Sequence, residues 1–466
     1  MKITVKADKN NDKHILTLLE QMGYSLPCNC HGQHHCNGKL YSFDCSLIPK
    51  EPITITLPDT TGDITGIALE DMVSSPGIGD TLLIDLGTTT VALALMEKNG
   101  GTLRQTLSFS NPQRTYGADI IARIQAACSG SLKDLRQTII SALTRQVSLL
   151  CQKNHQRPEQ ITSCLIGGNT TMIHLLMGYD CSGLAASPFS IHVPSPEPFY
   201  YKNCKVTILP WLSAFVGGDI TAGLFACHLT EKETPTLFLD LGTNGEMALF
   251  YNNTLYTAAT AAGPAFEGGG LSCGCPAIPG AICGVHLKPL RPTVTTIDNK
   301  LPVGICGCGA IQLCAELIRK NYVSKEGILS ERFPAEGIFL SSSAEGTSLF
   351  LTPEDFRNIQ LAAAAIAAGI ETLSHTAGIA PEEITDFYLG GGFGFYLNPA
   401  DCQTLRMFSS VSPDVMHPMG NTCLRGLWEF AVKEPDTLFI PPVNHVNLAE
   451  SSYFEKQFIH HMTYSE

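Results

Sequence analysis

The sequence has no excess of basic charge. Thirty lysines and arginines stand against 43 aspartates and glutamates, for a net charge of −13. Such a surface repels nucleic acid and anionic membranes, so neither is an expected partner. Long apolar runs are also missing. The opening MKITVKADKNNDKHILTLL has no uninterrupted apolar segment of the kind a secretory signal needs. The longest apolar helix-like run, IQLAAAAIAAGI (359–370), is too short to cross a bilayer and is followed by Glu371. A cytoplasmic protein is the expectation. Charged residues are sparse, 16% against 44% hydrophobic, so 466 residues supply ample core for about three domains.

Cysteine, by contrast, is abundant, with 18 in the chain. A reducing compartment argues against disulfides. Cys128, Cys151, Cys164, Cys181, Cys204, Cys227, Cys314, Cys402 and Cys423 are scattered and read as small core residues. The others fall into three groups, at 28/30/36/45, 273/275/283 and 306/308. Clustered thiols point to metal or redox chemistry. The densest stretch, PCNCHGQHHCNGKLYSFDC (27–45), packs four cysteines and three histidines into nineteen residues. It reads either as a metal or iron-sulfur site or as a free-thiol loop.

Residues 1–57 form a small unit: MKITVKAD and EPITITLPD alternate as strands, DKHILTLLEQMGY reads as a short helix, and the cysteine loop lies between. Residues 58–80 are turn-rich and read as a linker. TLLIDLGTTTVALALMEKNGG then gives a buried strand, a glycine-threonine turn and a second strand. The pattern returns in TPTLFLDLGTNGEMALFYNN (234–253). Two related α/β halves, 81–233 and 234–466, facing one cleft are the simplest architecture for this duplication.

A hairpin tip of Gly and Thr offers backbone N–H groups and hydroxyls to phosphate oxygens without obstruction. The Asp ending each first strand, Asp85 or Asp240, suits Mg²⁺ directly or through water. FVGGDITAGLFA (215–226) puts Asp219 at the mouth of a helix, as a metal or water-orienting carboxylate or as a helix cap. ITDFYLGGGFGFYL (384–397) is a buried strand entering a triple-glycine turn that lets a base and ribose approach the backbone. MGNTCLRGLWEFA (419–431) has the small residues of a helix that crosses another tightly.

In order, DLGTTT, GGD, DLGTNGE, GGG and GN-x3-RG resemble the phosphate-1, connect-1, phosphate-2, adenosine and connect-2 segments of the actin, DnaK-type chaperone and sugar-kinase superfamily. NPQRTYGADIIARI (111–124), GGNTTMIHLLMG (167–178), AAGPAFEGGGL (261–271), PVGICGCGAIQLCAEL (302–317) and LGGGFGFYLNP (389–399) narrow the resemblance to the reductive activators of corrinoid-dependent enzymes, over nearly the whole chain from about residue 80. The resemblance implies two ribonuclease-H-like lobes enclosing ATP and Mg²⁺, preceded by a small α+β ferredoxin-like domain with a [2Fe-2S] cluster. It implies an ATPase that returns cob(II)alamin of a methyltransferase system's corrinoid protein to cob(I)alamin by one-electron transfer. On this sequence Gly87, Thr88, Thr89, Gly242, Thr243 and Asn244 would cradle phosphates, and Asp85, Asp219 and Asp240 would hold Mg²⁺ or position water. Gly390, Gly391 and Gly392 would pass under the adenosine, with Gly263, Pro264, Phe266 and Glu267 closing the other side. Glu246 reads as a ribose ligand or an exposed strand residue. The expected partners are the corrinoid protein and an electron donor that the sequence does not name, with a homodimer left open.

The head departs from the family pattern, which resembles CGGKGxCGKC followed by a distant fourth cysteine. Cys30 and Cys36 keep the spacing, Lys39 stands in the third ligand position, and Cys45 is the counterpart of the fourth. Three readings follow. Cys28, Cys30, Cys36 and Cys45 hold an iron-sulfur cluster in altered geometry, since four thiolates are the required number. Alternatively a zinc site draws on His31, His34 or His35; or the head is empty. Cys273, Cys275, Cys283, Cys306 and Cys308 read as small residues in glycine-rich turns, with a second cluster as the alternative. QLAAAAI (360–366) replaces an expected QLAKAAI, either a lost charge at a nucleotide or subunit contact or a surface change without effect. The rival functions are a small-molecule kinase, which shares the ATP cleft, and an ATP-binding regulator or metal-binding protein with a degenerate head.

Overall fold

The computed structural model describes residues 2–5, 33–36, 39–42, 50, 53–56 and 80–464, apart from 98–100, 188, 192, 289–291, 344–345, 393 and 434–438. In the head, β1 (Lys2–Val5) and β4 (Ile53–Thr56) come from the two alternating segments and pair antiparallel. The stretch read as a cysteine loop contributes two further strands, β2 (Gln33–Cys36) and β3 (Lys39–Ser42), giving the order β1-β4-β2-β3. This corrects the loop reading over those eight residues: Cys36 registers opposite Lys39, and the intervening Asn-Gly is the dipeptide that favours two-residue hairpins. The expected helix at 12–24, the linker at 58–79 and Cys28, Cys30 and Cys45 lie outside the described residues.

The first lobe opens with β5 (Asp80–Leu86), so the last residue assigned to the linker already belongs to a strand. It continues through β6 (Thr90–Glu97), β7 (Leu103–Ser110), β8 (Ile161–Gly168), β9 (Phe199–Tyr201) and β10 (Cys204–Ile208), in the order β7-β6-β5-β8-β10-β9. Helices α1 (Ile120–Ala126), α2 (Leu132–Lys153) and α3 (Thr170–Met177) supply Ile124, Leu135, Ile139, Met172 and Ile173 to the core on one face. Helix α4 (Gly218–Ala226) follows β10.

The second lobe repeats the plan. Strands β11 (Thr236–Leu241), β12 (Gly245–Tyr251) and β13 (Thr254–Thr260) meander. A three-stranded sheet of β14 (Ala281–His286), β15 (Thr293–Thr296) and β16 (Gly304–Ile305) intervenes, then α5 (Gly307–Arg319), the hairpin β17 (Ile338–Ser342) and β18 (Ser348–Leu351), and α6 (Pro353–Ala377). Strands β19 (Asp386–Gly390), β20 (Met416–Gly420) and β21 (Val443–His445) complete the order β20-β19-β11-β12-β13-β21, with α7 (Thr422–Lys433) between β20 and β21 and α8 (Ser452–His461) at the end. In both sheets an antiparallel meander is extended by a strand parallel to its first, β8 on β5 and β19 on β11. Position 363, where the family pattern has lysine, carries an alanine buried in the second lobe's core, so it is not a surface position.

Two helices pack between the lobes, α4 touching both sheets, with its Ala222 in the first lobe's cluster. Ile220 and Leu224 of α4 pack with Phe238, Ala248 and Phe250 of the second sheet. Leu424 and Leu427 of α7 pack with Leu83, Ala92, Ala94 and Leu165 of the first. The helices cross each other so closely that a Cβ at Gly426 would stand 1.8 Å from the Ala222 carbonyl oxygen. Glycine is required there.

Candidate functional site

Each repeated hairpin delivers an Asp from its first strand, and the strand register places the two alike. Asp85 lies opposite Gly167 of β8, and Asp240 opposite Gly390 of β19. Asp219 arrives from the first turn of α4, whose cap is Gly217, so it is not itself the helix cap; its Oδ1 accepts from the Ile220 amide at 2.8 Å. Glu246 stands directly across the hairpin from Asp240 and is buried, which corrects the reading of it as an exposed strand residue. Asn169 donates to Glu246 at 3.2 Å from the other lobe, and Asn421 donates to Asp85 at 2.8 Å in the reverse direction.

These carboxylates disfavour one another's ionisation. Burial pushes Asp85 up to about 6, against the Asn421 hydrogen bond and with the Asp240 charge adding to it. Burial likewise raises Asp219 to about 7, with Asp85 contributing, and Asp240 to about 7, with Asp219 and Glu267 contributing. Glu246 is raised by burial and by Asp219 and Asp240. Four electrostatically linked, desolvated carboxylates suit a hard divalent cation by charge, but no three of them converge on one point, so the residues fit Mg²⁺ held through water and not by a ready-made direct site. Cys423, read from the sequence as packing, is buried against Asp85 and donates to it.

The tips of the two hairpins meet. Thr89 Oγ1 and Thr243 Oγ1 are 3.0 Å apart, and both donate to Glu267 Oε2, at 3.4 and 2.6 Å. Glu267 is raised by burial, against those two hydrogen bonds. It therefore stands against the tips of both hairpins. Gly263 (φ +77°) opens the short turn Pro264–Glu267, and Phe266 is fully buried in the second lobe's core, so its ring anchors that turn and does not face the cleft. Thr88 is nearly buried in the first tip, and Asn244 accepts from the Gly242 amide in the second. Gly391 (φ +88°) brings the backbone against the carboxylates: a Cβ there would lie 2.6 Å from the Leu241 carbonyl and 3.0 Å from Asp240 Oδ1. Gly390 is packed against Thr422, and Gly392 is exposed.

Asn111 is a site-shaping residue that the sequence reading missed. Fully buried, it donates from Nδ2 to the Gly87 carbonyl at 2.9 Å, and its amide donates to the Thr89 carbonyl at 2.9 Å, pinning the first tip. The signal was present in NPQRT, where Asn111 caps the short turn Pro112–Thr115. Cys275 and Cys306 are buried with Ile278 and Ala281, with Cys283 and Cys308 packed alongside, while Cys128 is exposed and is not a core residue. Among the described residues no group of three or more His, Cys, Asp or Glu is arranged to hold a metal ion directly.

Two family models match the chain in succession, the RACo middle region over residues 81–232 and the C-terminal domain of RACo, the ASKHA domain, over residues 234–466. The chain belongs to the family of reductive activators of corrinoid-dependent enzymes. The family's two-lobed plan is the one seen here, and a solved reductive activator for corrinoid, iron-sulfur protein superposes with a TM-score of 0.71 at 28% identity, over 84% of this chain and 67% of that one. Among curated proteins, the corrinoid activation enzyme RamQ of Eubacterium limosum is 29% identical, over 81% of this chain and 69% of its own. A Co(II) methylated amine-specific corrinoid protein reductase of Methanosarcina barkeri is 24% identical, over 82% and 76%.

Proposed function

We propose that this activator is an ATP-dependent reductase of a corrinoid protein in a methyltransferase system, returning cob(II)alamin to cob(I)alamin by addition of one electron. The observation that carries the reading is the gathering of Asp85, Asp219, Asp240 and Glu246 beneath two touching Gly-Thr tips, in a chain whose relatives are named for corrinoid activation and reduction. Mg²⁺ held by these carboxylates would neutralise phosphate charge. Thr88, Thr89, Thr243 and the tip amides would orient the phosphates, Asp219 would position the attacking water, and Gly391 would let the nucleotide approach the backbone.

ATP matters because ordinary donors are poor reductants for cob(II)alamin, each 59 mV costing about a factor of ten for one electron. The two nucleotide states must bind the corrinoid partner differently for any coupling to follow. Helices α4 and α7, packed across both lobes, are suited to carry lobe closure to a partner surface. No helix among the described residues is long and apolar enough to cross a membrane.

Two measurements test the reading. ATP turnover should fall about 100-fold in Asp240→Ala, in line with loss of an electrostatic catalytic group; unchanged turnover would refute the nucleotide site. Anaerobic purification with iron, sulfide and zinc analysis, on wild type and Cys36→Ala, decides the head. A colourless protein free of iron after reconstitution removes electron transfer through that domain.

A further inference from the structure

The two Gly-Thr tips already hold an anion, and the chain itself supplies it. Glu267 Oε2 accepts from Thr243 Oγ1 at 2.6 Å and from Thr89 Oγ1 at 3.4 Å, so one carboxylate oxygen is shared by hydroxyls of both lobes. The other oxygen, Oε1, lies over the second tip, where it is the first atom that a Cβ at Gly242 would meet, at 3.9 Å. Glu267 thus covers Thr89, Gly242 and Thr243, three of the residues that the sequence pattern assigns to phosphate oxygens.

Hydroxyl chemistry makes the two occupants exclusive. A threonine side chain has one O–H to donate. While Thr243 gives its proton to Glu267 it cannot give it to a phosphate, and Thr89, 3.0 Å from Thr243, has one proton for Thr243 or Glu267. Charge acts in the same direction: an ionised carboxylate repels a phosphate at contact distance, and salt screens that repulsion weakly where water is largely excluded.

The turn that carries Glu267 is fixed. Phe266 is fully buried in the second lobe's core, and the amides of Gly268 and Gly269 donate to the Ala265 and Pro264 carbonyls at 3.1 and 2.8 Å. A Cβ at Gly268 would stand 2.2 Å from the Cys275 carbonyl oxygen, so the backbone is enclosed behind the carboxylate. Glu267 itself is partly exposed between two buried neighbours. Its carboxylate leaves the tips by rotation of the side chain, with the turn in place.

We propose that Glu267 is an internal stand-in for phosphate: its carboxylate occupies the Thr89 and Thr243 hydroxyls until a nucleotide's phosphate displaces it. The inference rests on the nucleotide reading of the cleft and adds a determinant of which ligands the cleft accepts. Adenosine, without a phosphate, leaves the contact intact, whereas a polyphosphate must break it. Thr89 belongs to the first lobe and Glu267 to the second, so arrival of the phosphate also removes one link between the lobes.

The test uses the full chain and isothermal titration with ADP and with adenosine, each in the presence of Mg²⁺. Glu267→Gln keeps the shape, removes the charge and leaves a weaker acceptor for the threonines, so ADP should bind about tenfold or more tighter. Adenosine should stay within about threefold of wild type, a contrast that a merely structural change in the cleft would not produce. If Glu267→Gln does not fold, as judged by thermal unfolding, Glu267→Ala carries the same expectation. ADP affinity unchanged or weakened in the folded variant overturns the inference and leaves the nucleotide site standing, since wild type still binds ADP. Equal tightening of ADP and adenosine also overturns it, because the effect would then not lie at the phosphates. If neither wild type nor variant binds ADP, the nucleotide reading falls and the inference falls with it.

Discussion

Asp85, Asp219, Asp240 and Glu246 are each held above the usual carboxylate range, so the nucleotide-free cleft keeps protons that an exposed acid would lose. The folded pKa values exceed the unfolded ones. Between about pH 4 and pH 7 the folded chain therefore binds more protons than the unfolded chain. The stability from those protons is fully present below about pH 4 and is lost as pH rises through about 6 for Asp85 and about 7 for Asp219 and Asp240. The unfolding midpoint of the nucleotide-free protein should therefore fall between pH 5 and 7.5, wherever other groups do not titrate. Mg²⁺ with nucleotide should reverse the trend, and Asp219→Asn should flatten it. Calorimetry across that range checks all three. Because Mg²⁺ displaces the same protons, its affinity should rise through pH 6 to 7.

At the scale of elements, the two Gly-Thr hairpins look interchangeable in sequence but are not interchangeable in space. A Cβ at Gly87 would stand 2.4 Å from the Thr90 carbonyl, whereas one at Gly242 would meet nothing nearer than Glu267 at 3.9 Å. Gly87→Ala should distort the first tip and cut nucleotide affinity at least tenfold, while Gly242→Ala should stay within about threefold of wild type; equilibrium nucleotide titration separates them. The hairpins, the Asp positions and the triple-glycine turn were legible because apolar alternation and turn residues are local signals. Glu246 was not fully legible: strand alternation cannot say which face meets a second lobe. Asn169 and Asn421 were missed for the same reason, since each serves a carboxylate more than 70 residues away in sequence. Within the head, QHHC pairs with β4, a long-range partner that no local pattern announces, whereas its hairpin to KLYS is signalled locally by the Asn-Gly between them and was overlooked.

For the whole molecule, the sequence shows a boundary near residue 233, but packing does not respect it. Helix α4 precedes that point and packs on both sheets, while α7 follows it and packs on the first. Amphipathic spacing marks which face of a helix is buried and not which sheet receives it, so this packing between the lobes could not be read in advance. Residues 80–233 and 234–466 produced separately should each expose an uncovered apolar sheet face and aggregate, whereas co-expression should recover a soluble complex. Size-exclusion chromatography of the three preparations tests this. Soluble, monomeric halves would mean that the helices between the lobes contribute little.

One feature of the hairpins bears on ancestry. Asp240 faces Glu246 across its hairpin, but Asp85 at the matching place faces Ala92. A symmetric assembly of two identical subunits could not carry a glutamate on one side of its axis and an alanine on the other, because one gene would write both. Joining the copies in one polypeptide releases that restriction. The fourth carboxylate is thus an asymmetry that one polypeptide can carry, confined to the half that also supplies Glu267.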